Sequence, residues 1–269
     1  MSAYQRLKIK KSPDGVATIT LTKPDRRNAM DELMHAELPA AMNALSEMED
    51  VRVIVLTGDP DGQAFCAGGD LEWVNSASKD GAKFSKILRE GVAALKAIAA
   101  ARQPVIAMIN GPAIGMGATI ALFCDISYMA NDAVIADPHV KIGVVAGDGG
   151  SIIWPLLLGH NKAKEFLMTG DALTGIQAEA IGLVNHAVPL EELDAVTYKM
   201  AERLASGARL AIELTKRSVN MHLERTMAGM LEASLALEGL TFNTADHDEA
   251  VRAFFAKEKP QFGKNKVHS

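Results

Sequence analysis

Pro104-Val105-Ile106-Ala107-Met108-Ile109-Asn110-Gly111-Pro112-Ala113-Ile114-Gly115-Met116-Gly117-Ala118-Thr119-Ile120-Ala121-Leu122-Phe123-Cys124-Asp125 reads as a short buried strand over Val105 to Ile109, a glycine-punctuated turn, and a helix from near Gly117 to near Asp125. Such a turn leaves unpaired backbone N–H groups at a helix N-terminus. It suits negative charge, either a bound anion or an oxyanion formed during a reaction. The stretch from Pro104 to Cys124 carries no charge and is long enough to raise a membrane span. Asn110, Gly111, Pro112, Gly115 and Gly117 interrupt its middle, which favours strand-turn-helix. A dinucleotide fingerprint fails, because Ile120 stands where the third glycine belongs. No G-x-x-x-x-G-K-[ST] phosphate loop occurs anywhere.

Outward from this stretch, Leu7 to Ile9 and Val16 to Leu21 read as strands joined by the turn Ser12-Pro13-Asp14-Gly15. A helix is expected from about Asp31 to Glu47, with Leu33, Ala40, Ala41, Ala44, Leu45 and Met48 on one face. Val51 to Thr57 is a further strand, and Gly58 to Asp70 a loop. Asn75 to Gly81 reads as a polar connection before a helix from about Ala82 to Ala101. Short strands follow near Ile126 to Met129 and Val134 to Ala136, then helices over Gly149 to Leu158 and Lys162 to Met168. Thr174 and Gln177 are spaced for a capping box. Strands alternating with helices imply an α/β core over 1–190. Residues 191–269 form a helical region, with Gly207 and Gly229 as candidate breaks. Leu231, Leu235, Leu237, Leu240, Phe242, Phe254 and Phe255 give that region an apolar face that needs an outlet, either an oligomer interface or the core itself.

The chain has 269 residues, 48% of them hydrophobic, and a formal net charge of −5. That size permits one large domain, and the charge offers no basic footprint for nucleic acid. No polybasic cluster suggests a membrane surface. Met1 to Lys11 has no apolar segment of a secretory leader, so a cytoplasmic location is expected. Cys66 and Cys124, in apolar settings, resemble neither a disulfide framework nor a metal site.

Taken in order, Arg27-Asn28-Ala29-Met30, Phe65-Cys66-Ala67-Gly68-Gly69-Asp70-Leu71, Gln103-Pro104-Val105-Ile106-Ala107, Asn110-Gly111-Pro112-Ala113, Cys124-Asp125-Ile126, Gly149-Gly150-Ser151, Leu167-Met168-Thr169-Gly170 and Gly182-Leu183-Val184 resemble the crotonase (enoyl-CoA hydratase/isomerase) superfamily from Leu7 to about Phe262. The resemblance implies a crotonase-like spiral of ββα units, with a C-terminal helical region that builds homotrimers or dimers of trimers. It also implies an acyl-CoA substrate and no separate cofactor, coenzyme A entering as part of the substrate. Matched residue by residue, the two backbone donors of the family's oxyanion hole fall on Gly69 and Met116. Such donors stabilise charge that builds on an oxygen in a water-poor site. The same match puts Arg26 and Arg27 near the CoA phosphates, and Lys257 or Lys259 near the CoA of an adjacent subunit. Ala67, Gly68, Asp70, Gly115 and Thr119 fall along the remaining substrate path.

The two glutamates of typical hydratases are replaced here by Thr119 and His139. His139 is followed nine positions later by Asp148. A histidine with a carboxylate on its far nitrogen is a competent base near neutral pH. The His/Asp pattern with Gly149-Gly150 and Trp154-Pro155 is similar to the camphor-diketone hydrolases of the superfamily, and the second histidine of that pattern corresponds to His35. Ser151 lacks a G-x-S-x-G elbow and is no nucleophile candidate. Three functions follow: a hydratase-like enzyme that activates water with His139 and Asp148, a retro-Claisen carbon–carbon hydrolase of a cyclic β-diketone or its CoA ester, and a non-catalytic acyl-CoA-binding protein.

Overall fold

The computed structural model describes residues 4–263; the outermost residues of the two expected regions, 1–3 and 264–269, lie outside them. β1 (Leu7–Lys11) and β2 (Val16–Leu21) form an antiparallel hairpin in which Ile9 faces Ile19. β3 (Val53–Gly58), β4 (Val105–Ile109), β6 (Ile126–Ala130) and β9 (His186–Val188) then add in parallel, in the order β1-β2-β3-β4-β6-β9. Every residue of β3 and β4 is buried, as expected of central parallel strands covered on both faces. A second, three-stranded sheet of β5 (Ala113–Ile114), β7 (Val134–Ala136) and β8 (Leu173–Thr174) starts from the glycine turn.

The helices are α1 (Glu32–Ser46), α2 (Leu71–Ser78), α3 (Gly81–Ala100), α4 (Met116–Phe123), α5 (Gly150–Leu158), α6 (His160–Thr169), α7 (Gly175–Ala180), α8 (Leu190–Ala205), α9 (Arg209–Thr241) and α10 (Ala245–Ala256). The Thr174/Gln177 capping box forms at the start of α7. Three expectations change. The polar segment Asn75 to Gly81 divides between the end of α2, the Lys79-Asp80 turn and the first residue of α3, because Asp70 accepts hydrogen bonds from the Glu72 and Trp73 amides and so starts a helix ahead of it. The buried stripe of α1 is Met34, Leu38, Ala41, Met42 and Leu45, while Leu33 is exposed; the helix turns its bulky residues inward and leaves the Leu33 side wet. Gly229 lies within unbroken α9, and only Gly207 separates helices.

α8 packs on β2, β3, β4 and β6, and its Tyr198 hydroxyl meets Thr18 Oγ1 at 2.8 Å, so it belongs spatially with the sheet. α9, roughly 50 Å long at 1.5 Å per residue, crosses the core. Lys216 fastens it there, donating to Asp125 at 2.7 Å and to the carbonyls of Gln103 and Ile98. The apolar residues of the tail divide: Leu231, Leu235 and Phe242 are buried, whereas Leu237, Leu240, Phe254 and Phe255 are exposed. No helix among the described residues is long and apolar enough to cross a membrane.

Candidate active site

Two loops meet at the C-terminal ends of β3 and β4. Phe65 and Cys66 amides both donate to Pro112 O at 3.1 Å, and Ile114 N donates to Cys66 O at 3.0 Å. Gly117 makes this approach possible, since a Cβ there would sit 2.3 Å from Cys66 O. The chain turns into α4 at Gly115, whose φ of +54° suits glycine, with its amide held by Ala136 O at 2.9 Å. Gly69 N and Met116 N are left without an acceptor among the described residues. Both residues line one chamber of about 570 Å³.

The β5–β7 pairing brings the next loop beside this turn, and a Cβ at Gly115 would lie 3.5 Å from His139 Cε1. His139 Nδ1 hydrogen-bonds Asp137 Oδ1, and its Nε2 lies 3.4 Å from Asp148 Oδ2. The expected His139–Asp148 pair is therefore one half of a three-residue relay, with the imidazole between two carboxylates. Asp137, His139 and Asp148 bring ligand-type atoms within 4.8 Å of one another, yet the carboxylates occupy opposite nitrogens of one ring, as in a proton relay rather than around a common ion.

The C-terminal helices complete the site. Gly147 packs on α9, where a Cβ would meet Ser234 O at 2.4 Å and Glu238 Oε2 at 2.9 Å. Val145 N donates to Thr241 Oγ1 at 3.1 Å, Ser151 Oγ meets Ser234 Oγ at 2.6 Å, and His247 Nδ1 bonds Ile142 O at 2.8 Å. These contacts fix the Asp148 loop against Glu238. Glu238 Oε2 and Asp148 Oδ1 are buried with no hydrogen-bond partner among the described residues.

The carboxyls and imidazoles are held in different states. Burial disfavours the His139 cation, but the charges and hydrogen bonds of Asp148 and Asp137 outweigh it and raise its pKa well above 6.5. Burial likewise works against ionised Asp148, yet the His139 charge, its hydrogen bond and the Gly150 amide lower its pKa. For Glu238, burial and then the neighbouring Asp148 charge act in the same direction and push its pKa well above 4.5. His35 is lowered by burial, partly offset by Glu90. Burial and the neighbouring charges thus favour the cation at His139, the ionised form at Asp148 and the neutral form at Glu238. Relative to the neutral base expected from the sequence, the two flanking carboxyl groups shift His139 toward its protonated form.

The other expected residues divide. Arg26, Arg27, Ala67, Gly68, Asp70 and Gly115 line the chamber or its mouth. Arg26 pairs with Glu72 at 3.3 Å, and Asp70, besides capping α2, holds Lys23 at 2.9 Å. His35 lines the chamber from α1, its ring edge-on to Trp73 at 5.3 Å between centroids and its Nδ1 3.5 Å from Glu90 Oε2. Thr119 does not reach it. Its methyl group lies beneath Gly149, 2.7 Å from where a Cβ would be, and the residue is fully buried. Lys259 is exposed beyond α10 and lines no part of its own chain's chamber. Missed from the sequence were Asp137, Glu90 and Glu238. Glu238 was findable, for it falls on the same helical stripe as Leu231, Ser234 and Leu235, a carboxyl on an apolar face.

Residues 11–265 match the family model described as enoyl-CoA hydratase/isomerase. A crotonyl-CoA hydratase of Syntrophomonas wolfei is 32% identical over 97% of this chain and 98% of its own length. A probable mitochondrial enoyl-CoA hydratase of Dictyostelium discoideum is 34% identical over 91% of this chain and 86% of its own. Among solved structures, an enoyl-CoA hydratase/isomerase from Mycobacterium paratuberculosis superposes with a TM-score of 0.85 at 34% identity, covering 94% of this chain and 99% of that one.

Proposed function

As this chain belongs to the enoyl-CoA hydratase/isomerase family, we propose that it adds water across the double bond of an enoyl-CoA thioester, with Asp148 and Glu238 doing the work of the two glutamates absent at Thr119 and His139. The observation that carries this reading is that Asp148 and Glu238 line one chamber beside His139, each with a buried carboxyl oxygen that has no partner among the described residues, their pKa values displaced in opposite directions. Two acids whose surroundings push their pKa values apart supply a base and an acid in one chamber.

The thioester oxygen binds at the Gly69 and Met116 amides, which stabilise the enolate that forms as water attacks. Asp148 Oδ1, unpartnered among the described residues, orients the water and accepts its proton as oxygen bonds to the β-carbon. Glu238 gives its proton to the α-carbon as the enolate collapses, and the proton from Asp148 returns to Glu238 through solvent or the relay. His139 is a positioning residue: its cation keeps Asp148 ionised, and Asp137 fixes its ring. Arg26 and Arg27 at the mouth suit the CoA phosphates. The exposed apolar residues Leu237, Leu240, Phe254 and Phe255 support assembly through the C-terminal helices, for which a trimer or dimer of trimers is the proposal.

Incubation with crotonyl-CoA and with a bicyclic β-diketone in oxygen-18 water, read by mass spectrometry, tests this reading. Label in 3-hydroxybutyryl-CoA is the expected result. Label in a ring-opened keto acid alone overturns it in favour of carbon–carbon hydrolysis, which the same water-activating relay would serve. Tight thioester binding with no label in either product would make the chain a binding protein.

A further inference from the structure

We propose that Gly91, inside α3, opens a side bay off the acyl chamber that selects an acyl group branched near its carbonyl end; this rests on the acyl-CoA reading above. Glycine weakens the interior of a helix relative to alanine, so its presence calls for a local reason. At Gly117 the reason is backbone crowding. At Gly91 there is none: a Cβ would lie 3.5 Å from His35 Nε2, 3.6 Å from His35 Cε1 and 4.0 Å from Met116 Cε, all ordinary contacts. A methyl group would fit, and what its absence leaves is room facing the chamber.

The walls of that room tell what it takes. Met116 supplies one through its Cε, the tip of the residue whose amide is the donor proposed for the thioester oxygen, so the bay opens within one side chain's reach of the acyl carbonyl. The His35 ring supplies another. It stands edge-on to Trp73 with its Nδ1 3.5 Å from Glu90 Oε2, and burial favours its neutral form. A neutral ring and a thioether form a surface for a small hydrocarbon branch rather than for a charged group. An unbranched chain passes the bay without using it.

Titration calorimetry of the full-length protein with butyryl-CoA and isovaleryl-CoA, saturated thioesters that cannot be hydrated, tests the bay in wild type, Gly91→Ala and Gly91→Val. In Gly91→Ala the ratio of the isovaleryl to the butyryl Kd rises about 10-fold, the scale set by one misplaced methyl group in an apolar pocket, and in Gly91→Val further. Alanine favours the helix, so the melting temperature of Gly91→Ala does not fall. An unchanged ratio in Gly91→Ala, with wild type binding both thioesters, overturns the bay and leaves the acyl-CoA reading standing. Wild type binding neither thioester overturns that reading, and the bay with it.

Discussion

One wall of the chamber consists of two glycine-bearing turns, residues 64–70 and 110–117, and presents backbone amides. The facing wall is the 143–149 loop with the C-terminal part of α9, and it presents carboxyls. The first wall is fixed by the shape of the chain, through the approach of Gly117 to Cys66 O and the Ile114 N to Cys66 O bond. The second is fixed by charge and burial, through Asp137, His139, Asp148 and Glu238. A backbone donor survives most changes of side chain, whereas a carboxyl works only in one protonation state. Altering the first wall should therefore cost stability, and altering the second should cost rate.

Asp148→Asn gives the largest expected effect, a fall in kcat/KM for crotonyl-CoA of about 10³-fold, read by steady-state kinetics at a temperature where a melting curve shows the variant folded. Gly117→Ala does the reverse. Its methyl group would push Cys66 O away, and urea unfolding should show a loss of about 3 kcal/mol, the range of an overpacked interior. A Gly117→Ala protein as stable as wild type would break the distinction between the walls.

Glu238→Gln should lower kcat by about 10²-fold while raising stability near neutral pH. The sign follows from linkage. The folded pKa of Glu238 is raised, so the unfolded chain binds fewer protons above pH 4.5 and wild type loses stability as pH climbs from there toward the folded pKa. That loss is at most about 1.4 kcal/mol per pH unit. Glutamine escapes it, so the gain in melting temperature should be present at pH 7 and vanish near pH 4.5. Thr119→Val is the smallest change: turnover within about twofold and stability within about 0.5 kcal/mol, because the hydroxyl is buried without a partner among the described residues and does not line the chamber.

The difference between the walls also explains what the sequence could tell. Gly115-Met116-Gly117 announces a turn into a helix because the requirement is local, and the strands on either side are legible as apolar runs. His139 and Asp148 stand out as two polar residues close together in one glycine-rich segment. Glu238 lies some ninety positions away, and only tertiary packing of α9 on Gly147 gives it a role. Asp137 was in plain view beside His139, but which nitrogen each carboxylate would take depends on how β7 pairs with β5. Position in an aligned motif placed Thr119 at the site; the close packing of Gly149 on α4 turns its side chain elsewhere. The opposite displacement of the two carboxyl pKa values, finally, is a property of burial and neighbouring charge that no local pattern encodes.

The pH dependence of kcat/KM for crotonyl-CoA, in wild type and Glu238→Gln, addresses the division of labour most directly. An ionised Asp148 base and a neutral Glu238 acid predict a rate that is flat through pH 6.5, falls in acid as Asp148 gains its proton below the usual carboxylate range, and falls in alkali as Glu238 loses its own. In Glu238→Gln the acid fall remains and the alkaline one is displaced to higher pH. A rate that instead rises with a midpoint near 6.5, or an alkaline fall unmoved in Glu238→Gln, would contradict the account and return the base to a neutral His139.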